Sequence, residues 1–242
     1  ILKSGKMNSW EADDYLQWYD AYDRFLKEKG FDKAFPTVDD LTRSMGNVSF
    51  YYQGRIIENI RISNTVDAYA VNGWESMKLE NHSGIVDNYR FPKGDPEVMA
   101  RYNAPLYLAV KMNRKVVSTG DTTLVDTYIV NEKNLKGSYI LNLVAKDESG
   151  NVVASHKERV TVKGGNDYGQ CLQSGWAFIP KSKGYTCIEA SLLKGKTELV
   201  KGDDLLFAVE LNTKGITTRG SVADTTGALV NFLRGVGMEV PI

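Results

Sequence analysis

The sequence predicts an α/β segment followed by an all-β domain. Three observations predict it. Apolar and aromatic residues recur at helical spacing from residue 10 to residue 63. From Pro105 onward, short runs rich in β-branched and aromatic residues alternate with turns built from Gly, Asn, Asp and Lys. Near the C-terminus the helical pattern returns.

The first helical stretch carries Trp10, Tyr15, Trp18, Tyr22 and Leu26 on one face, with Phe25 beside the last. Gly30 is placed to cap its C-terminal end. A second helix is expected to start at Asp39 or Asp40, with a break at Gly46. A third piece follows through Phe50, Tyr51, Ile57, Ile60 and Ile62, with Arg55, Glu58 and Arg61 on its wetter side. Residues 66–71 read as a short, mostly buried strand that ends in the turn Asn72-Gly73-Trp74-Glu75. A polar loop, residues 80–84, comes next. Pro92, Gly94 and Pro96 then shape the approach to a short helix from Pro96 to Tyr102.

Seven strands are expected at 106–112, 122–130, 138–146, 152–162, 171–179, 186–193 and 204–211. Their number and spacing describe a β-sandwich of roughly one hundred residues. Residues 148–151 read as a hairpin turn. Tyr185 and Cys187 have the spacing of a tyrosine corner, in which a Tyr hydroxyl ties back to the backbone. The second strand has no Cys, which excludes an immunoglobulin-type disulfide between sheets. Past the sandwich, Ser221, Asp224 or Thr225 can cap a helix through Leu233. Gly235 and Gly237 end it, and a strand is expected to start at Met238.

The bulk numbers exclude several functional classes. Lys plus Arg and Asp plus Glu are each 30, so the balanced charge gives no electrostatic case for nucleic acid or an anionic membrane. No apolar run approaches the ~20 residues of a spanning helix. The two cysteines, Cys171 and Cys187, form no metal-binding spacing with the two histidines. They are expected to be buried small hydrophobes, although a disulfide between them stays open. The acidic run Glu11, Asp13, Asp14, Asp20 and Asp23 is read as a solvated helix face, not as a metal site. There is no G-x-S-x-G element and no glycine loop leading into a helix. No cofactor and no metal are expected.

The order Asn72-Gly73-Trp74-Glu75, then residues 80–87, then Arg90, Pro92 and Lys93, then a short helix and a sandwich resembles glycoside hydrolase family 2. That family includes β-galactosidases and β-glucuronidases. The resemblance implies that residues 1–104 are the C-terminal portion of a TIM (β/α)8 barrel. It makes residues 105–212 an immunoglobulin-like sandwich and residues 213–242 the start of a further α/β segment. It also implies a retaining exo-β-glycosidase with two carboxylates about 5 Å apart. Both would lie upstream of Ile1, so the chain is expected to continue beyond it and to be inactive alone.

The implied substrate-binding residues are Trp74, Glu75, Asn81, His82 and Ser83. An indole offers a flat apolar face to a pyranose, and Glu75 can hydrogen-bond sugar hydroxyls. In family members that act on glucuronides, an Asn-x-Lys pair binds the sugar carboxylate. Here Asn81 is retained, but Ser83 stands at the Lys position, which favours a neutral sugar of the β-galactoside kind. The expected partner is a carbohydrate substrate, with assembly into a homo-oligomer left open, and the implied location is periplasmic or extracellular. The alternative is a non-catalytic carbohydrate-binding or adhesion module. A scaffold domain without a ligand is a third reading.

Overall fold

The computed structural model describes residues 12–71, 73–74, 84–87, 90–210, 222–235 and 238. The chain divides into two units, Ile1–Pro105 and Leu106–Ile242.

The first unit is built on helices. Helix α1 spans Ala12–Glu28, and Gly30 stands after it in the left-handed region at φ 70°. A 3₁₀ turn, Phe31–Lys33, leads to α2, Val38–Ser63. This is one continuous helix, not two pieces broken at Gly46. Its N-cap is Thr37, not Asp39 or Asp40. Thr37 Oγ1 accepts the Asp40 amide at 3.2 Å, and the Asp40 carboxylate accepts the Thr37 amide at 3.0 Å, closing a capping box. Helix α3, Pro96–Tyr102, lies where the sequence places it. Proline fits its first turn, and the Asp95 carboxylate accepts the Glu97 amide at 3.0 Å.

Gly46 does not end α2 because its missing side chain serves packing. A Cβ on Gly46 would collide with the carbonyl of Lys93, and one on Gly54 would strike the Tyr102 ring. Both glycines are buried on the face of α2 that also buries Phe50, Ile57 and Arg61. Arg55, Glu58 and Arg61 were expected on the wetter side, yet they are 7%, 0% and 8% exposed. Packing of residues 93–102 over this face encloses them.

The strand expected at residues 66–71 does not form. The segment has no ladder partner among the described residues, and Val66, Tyr69 and Val71 are exposed. An extended run without neighbours leaves its backbone groups to solvent. The described part of this unit is therefore helical, and no wall of a TIM barrel is evident in it.

The second unit is a two-sheet β-structure. Its strands are β1 Leu106–Met112, β2 Val116–Ser118, β3 Thr123–Asn131, β4 Gly137–Asp147, β5 Val152–Val162, β6 Gly169–Phe178, β7 Gly184–Lys194 and β8 Thr197–Val209. One sheet has the order β1-β3-β6, the other β2-β8-β7-β4-β5. Alternate residues of β4 and β7 are buried, and Leu141, Leu143, Ile188, Ala190 and Leu192 join Leu108, Val110, Val125 and Ile129 in the core. A Cβ on Gly202 of β8 would run into the carbonyl of Leu108 on β1, so glycine permits that close approach of backbones.

Two departures from the expected strands have local causes. The three-residue β2 pairs parallel to β8, with Val116 opposite Phe207, and is too short to show a period of two. Strand β8 begins at Thr197, not at 204, because residues 197–203, mixed in polarity, are held on β7 by a tight turn at Gly195, φ 63°.

The hairpin at 148–151 forms as expected, with Asp147 Oδ1 accepting the amides of Ser149 and Asn151, each at 2.9 Å. Tyr185, however, is not the corner tyrosine. It is half exposed, with its ring 4.7 Å from that of Phe207. The back-bond is made by Tyr139, 4% exposed, whose hydroxyl donates to the Lys136 carbonyl at 2.8 Å. Cys171 is exposed and Cys187 half-buried, and they form no disulfide, so neither behaves as a buried hydrophobe.

Helix α4, Ala228–Gly235, is capped by Asp224, whose carboxylate accepts the amides of Val230 at 3.0 Å and Thr226 at 3.1 Å. The strand expected after Met238 lies outside the described residues.

Candidate functional site

Of the five residues implied as sugar-binding, Trp74 is described; Glu75, Asn81, His82 and Ser83 lie outside the described residues. Trp74 follows Gly73, which takes φ 76°, a conformation that glycine adopts freely. The Trp74 side chain is 60% exposed. Its backbone is fixed instead. The Trp74 carbonyl accepts the amides of Ile85 at 3.0 Å and Val86 at 3.1 Å.

A chain of contacts runs from there to α2. The Lys93 amide donates to the Ile85 carbonyl at 3.0 Å, and Val86 bridges to Pro92. Between them, Asp87 organises a turn. Its Oδ1 accepts the Phe91 amide at 2.9 Å, and its carbonyl accepts the Arg90 amide at 2.9 Å, with Arg90 at φ 68°. The Lys93 carbonyl then sits against Gly46 of α2. One residue past Gly94, the Asp95 amide donates to Asn47 Oδ1 at 2.7 Å. Gly46 and Asn47 thus fix the segment that fixes Trp74. Sequence reading took Gly46 for a helix break and missed this role; the available signal was a buried-face spacing shared with Phe50 and Gly54.

Among the described residues, the charges nearby are few. Burial lowers the Lys93 ammonium pKa from its ordinary value, and the Asp87 carboxylate opposes that shift. Further along α2, Arg55 and Glu58 form a buried pair at 3.2 Å. Burial raises the Tyr102 phenol, while Arg55 works against it. This group is structural in its contacts, because Arg61 beside it donates to the carbonyls of Tyr102 at 2.6 Å and Ala104 at 2.8 Å.

The acidic face of α1 brings no ligand set together. Asp13 and Asp20 are exposed, and Asp23 is engaged by Lys27 at 2.6 Å. Among the described residues, no group of three or more His, Cys, Asp and Glu side chains could hold a metal ion. No helix among them is long and apolar enough to cross a membrane. The arrangement offers an exposed indole on a pinned turn, a surface suited to stacking on the apolar face of a sugar.

No family model matches the chain, and no curated protein matches it. Solved structures do. A glycosyl hydrolase family 2 member from Bacteroides cellulosilyticus DSM 14838 is similar over 43% of this chain and 15% of that one, at 19% identity and a TM-score of 0.34. A β-glucuronidase from Bacteroides uniformis is similar over 43% of this chain and 13% of that one, at 13% identity and a TM-score of 0.31. The CARDB domain of a Pyrococcus furiosus protein, solved in complex with di-metal ions, is similar over 43% of this chain and 87% of that one, at 14% identity and a TM-score of 0.30. The chain spans less than a sixth of the two hydrolases. At these identities and scores the likeness is one of fold over under half of the chain, and it does not reach chemistry.

Proposed function

We propose that this chain is the sandwich-bearing part of a retaining exo-β-glycosidase of the family 2 kind that acts on neutral β-glycosides, and that it lends Trp74 to the sugar pocket. The observation that carries the reading is Trp74 itself. It sits within the Asn-Gly-Trp-Glu element, with a free indole face and a backbone pinned by Ile85 and Val86. An exposed aromatic ring on a backbone held by two hydrogen bonds suits the C–H face of a pyranose. The absence of a Lys at position 83 favours a sugar without a carboxylate. The acid/base and nucleophile of this reading are assigned to no residue of the chain, so hydrolysis belongs to the larger protein. The sandwich serves as a buttress, and a periplasmic or extracellular setting fits a polysaccharide-degrading role.

The test uses the product of the whole reading frame that encodes these residues, assayed on a panel of chromogenic β-glycosides beside its Trp74→Ala variant. Release of a neutral sugar is expected, with kcat/KM lowered roughly tenfold in the variant, about 1.4 kcal/mol of transition-state stabilisation. Hydrolysis of no glycoside, with glycan-array binding retained, would replace this reading with that of a carbohydrate-binding module.

A further inference from the structure

The two sheets do not close evenly. Strand β5 ends the larger sheet and β6 ends the smaller one. Lys163 and Thr161, at the end of β5, bond to the Gln170 side chain at 2.9 and 2.8 Å, and the His156 ring stacks 6.1 Å from that of Trp176. These contacts set β5 and β6 running in opposite directions along the open edge. Glu158 therefore faces the stretch of β6 that holds Gln173.

The inner side of this edge is polar. Glu158 is paired with Leu141 and His156 with Leu143, and both leucines are fully buried, so both polar residues point between the sheets. Opposite them, Gln173 is paired with Thr127, which is 0% exposed. The register places Thr127, Gln173 and Glu158 at one level of this edge, and Thr127 Oγ1, Gln173 Oε1 and Glu158 Oε1 are each buried with no hydrogen-bond partner among the described residues. His156 Nε2 approaches Glu158 Oε1 only to 3.5 Å, the outer limit of a hydrogen bond. A buried acceptor without a partner costs roughly 1–3 kcal/mol, and one shared ion would relieve all three oxygens at once.

We propose that the open edge of the sandwich holds a small hard monovalent cation, sodium in the first instance, liganded by Thr127 Oγ1, Gln173 Oε1 and Glu158 Oε1. All three atoms are oxygens, the donors that hard cations select. One carboxylate balances one positive charge, whereas a divalent ion would leave a net charge between the sheets. The side chains of Glu158 and His156 are about one-third exposed, at 35% and 37%, so water can reach the edge and complete the coordination. This proposal does not depend on the glycosidase reading.

The test is the melting temperature of the chain in sodium chloride against choline chloride of equal ionic strength, with the ²³Na linewidth as a second measurement. The expected result is a Tm that rises with the logarithm of sodium concentration, and a broadened ²³Na signal that sharpens on adding potassium. Thr127→Val and Glu158→Gln should lose the sodium-dependent shift, while Lys146→Gln, on an exposed ion pair, should keep it. Equal melting in the two salts together with an unbroadened ²³Na line would overturn the proposal and leave water at the three oxygens. A sodium effect of equal size in all variants would overturn it too. The linewidth of the unaltered chain decides the matter if the variants fail to fold.

Discussion

Arg61 of α2 donates to the carbonyl of Tyr102 at 2.6 Å, and so ties the C-terminal end of α3 to the last turn of a helix forty-one positions earlier in the chain. A second bond to the Ala104 carbonyl at 2.8 Å continues the tie past α3. The guanidinium satisfies carbonyls that a helix end leaves unpaired. Arg61→Ala should destabilise this unit by roughly 2–4 kcal/mol, since it removes charge-assisted bonds at a buried position. Arg61→Lys should recover only part, because an ammonium lacks the planar fork. Urea melts followed by far-UV circular dichroism check both.

Gly46→Ala and Gly54→Ala set two effects against each other. Alanine gains about 1 kcal/mol of helix propensity over glycine. The added Cβ must displace the Lys93 carbonyl in one case and the Tyr102 ring in the other. Overpacking costs about 1–3 kcal/mol, more against backbone than against a side chain. Both variants should be less stable than the parent, Gly46→Ala the more so. A gain in the urea midpoint for Gly46→Ala would refute the contact with Lys93.

Trp74→Ala should leave stability within about 0.5 kcal/mol of the parent. The ring is 60% exposed, and the bonds that hold the turn use the Trp74 carbonyl, which alanine retains. A folding defect in this variant, read from the same melts, would make Trp74 a core anchor and not a ligand-facing residue.

Lys115 and Asp204 join β2's approach to β8 at 2.7 Å, with Asp204 1% exposed. Lys115→Met leaves a buried carboxylate with less compensation, and should cost roughly 2–3 kcal/mol. Lys115→Met/Asp204→Leu should recover a large part of that, because the uncompensated charge is gone. A double-mutant cycle on thermal unfolding measures the coupling.

Asp147 gives a signed pH dependence. Its carboxyl is held below the ordinary 3.8, first by the backbone amide and then by the side chain of Asn151. A lowered folded-state value favours the folded state when the group is ionised. That contribution is full above about 3.8, and is lost as the pH falls through the lowered value. The Tm difference between the parent and Asp147→Asn should therefore be present at pH 6 and shrink as the pH falls below about 3.8. A difference that grows toward acid would contradict the sign.

The β-domain was legible in the sequence because its strands alternate. Leu141, Leu143 and Ala145 fall on every second residue and are buried, with half-exposed residues between them. The helix boundaries were less legible, because capping is local chemistry with several candidates. Thr37 and Asp40 cap each other, a pairing that the eye misses when it searches for an aspartate alone. The strand expected at residues 66–71 had suitable composition but, among the described residues, no neighbour to complete its ladder, and only tertiary partners decide that. At the candidate site, Trp74 could be named from its motif. The parts that hold it could not, since Gly46 acts through a contact forty-seven positions away, with the Lys93 carbonyl. The polar edge between β5 and β6 was also hidden. Period-two patterning places His156 and Glu158 on one face, but only the topology shows that this face looks inward.

The parallel pairing of β2 with β8 bears on how the chain folds. Val116 and Phe207 are about ninety positions apart, so the loop that joins them is expensive to close before the intervening strands are in place. The hairpins β4–β5 and β7–β8 connect near neighbours and can form early. The small strand must be among the last to lock. On a ribosome, β7 is the open margin of the larger sheet until β8 has emerged and docked on it, and over that interval its unpaired edge is open to wrong partners.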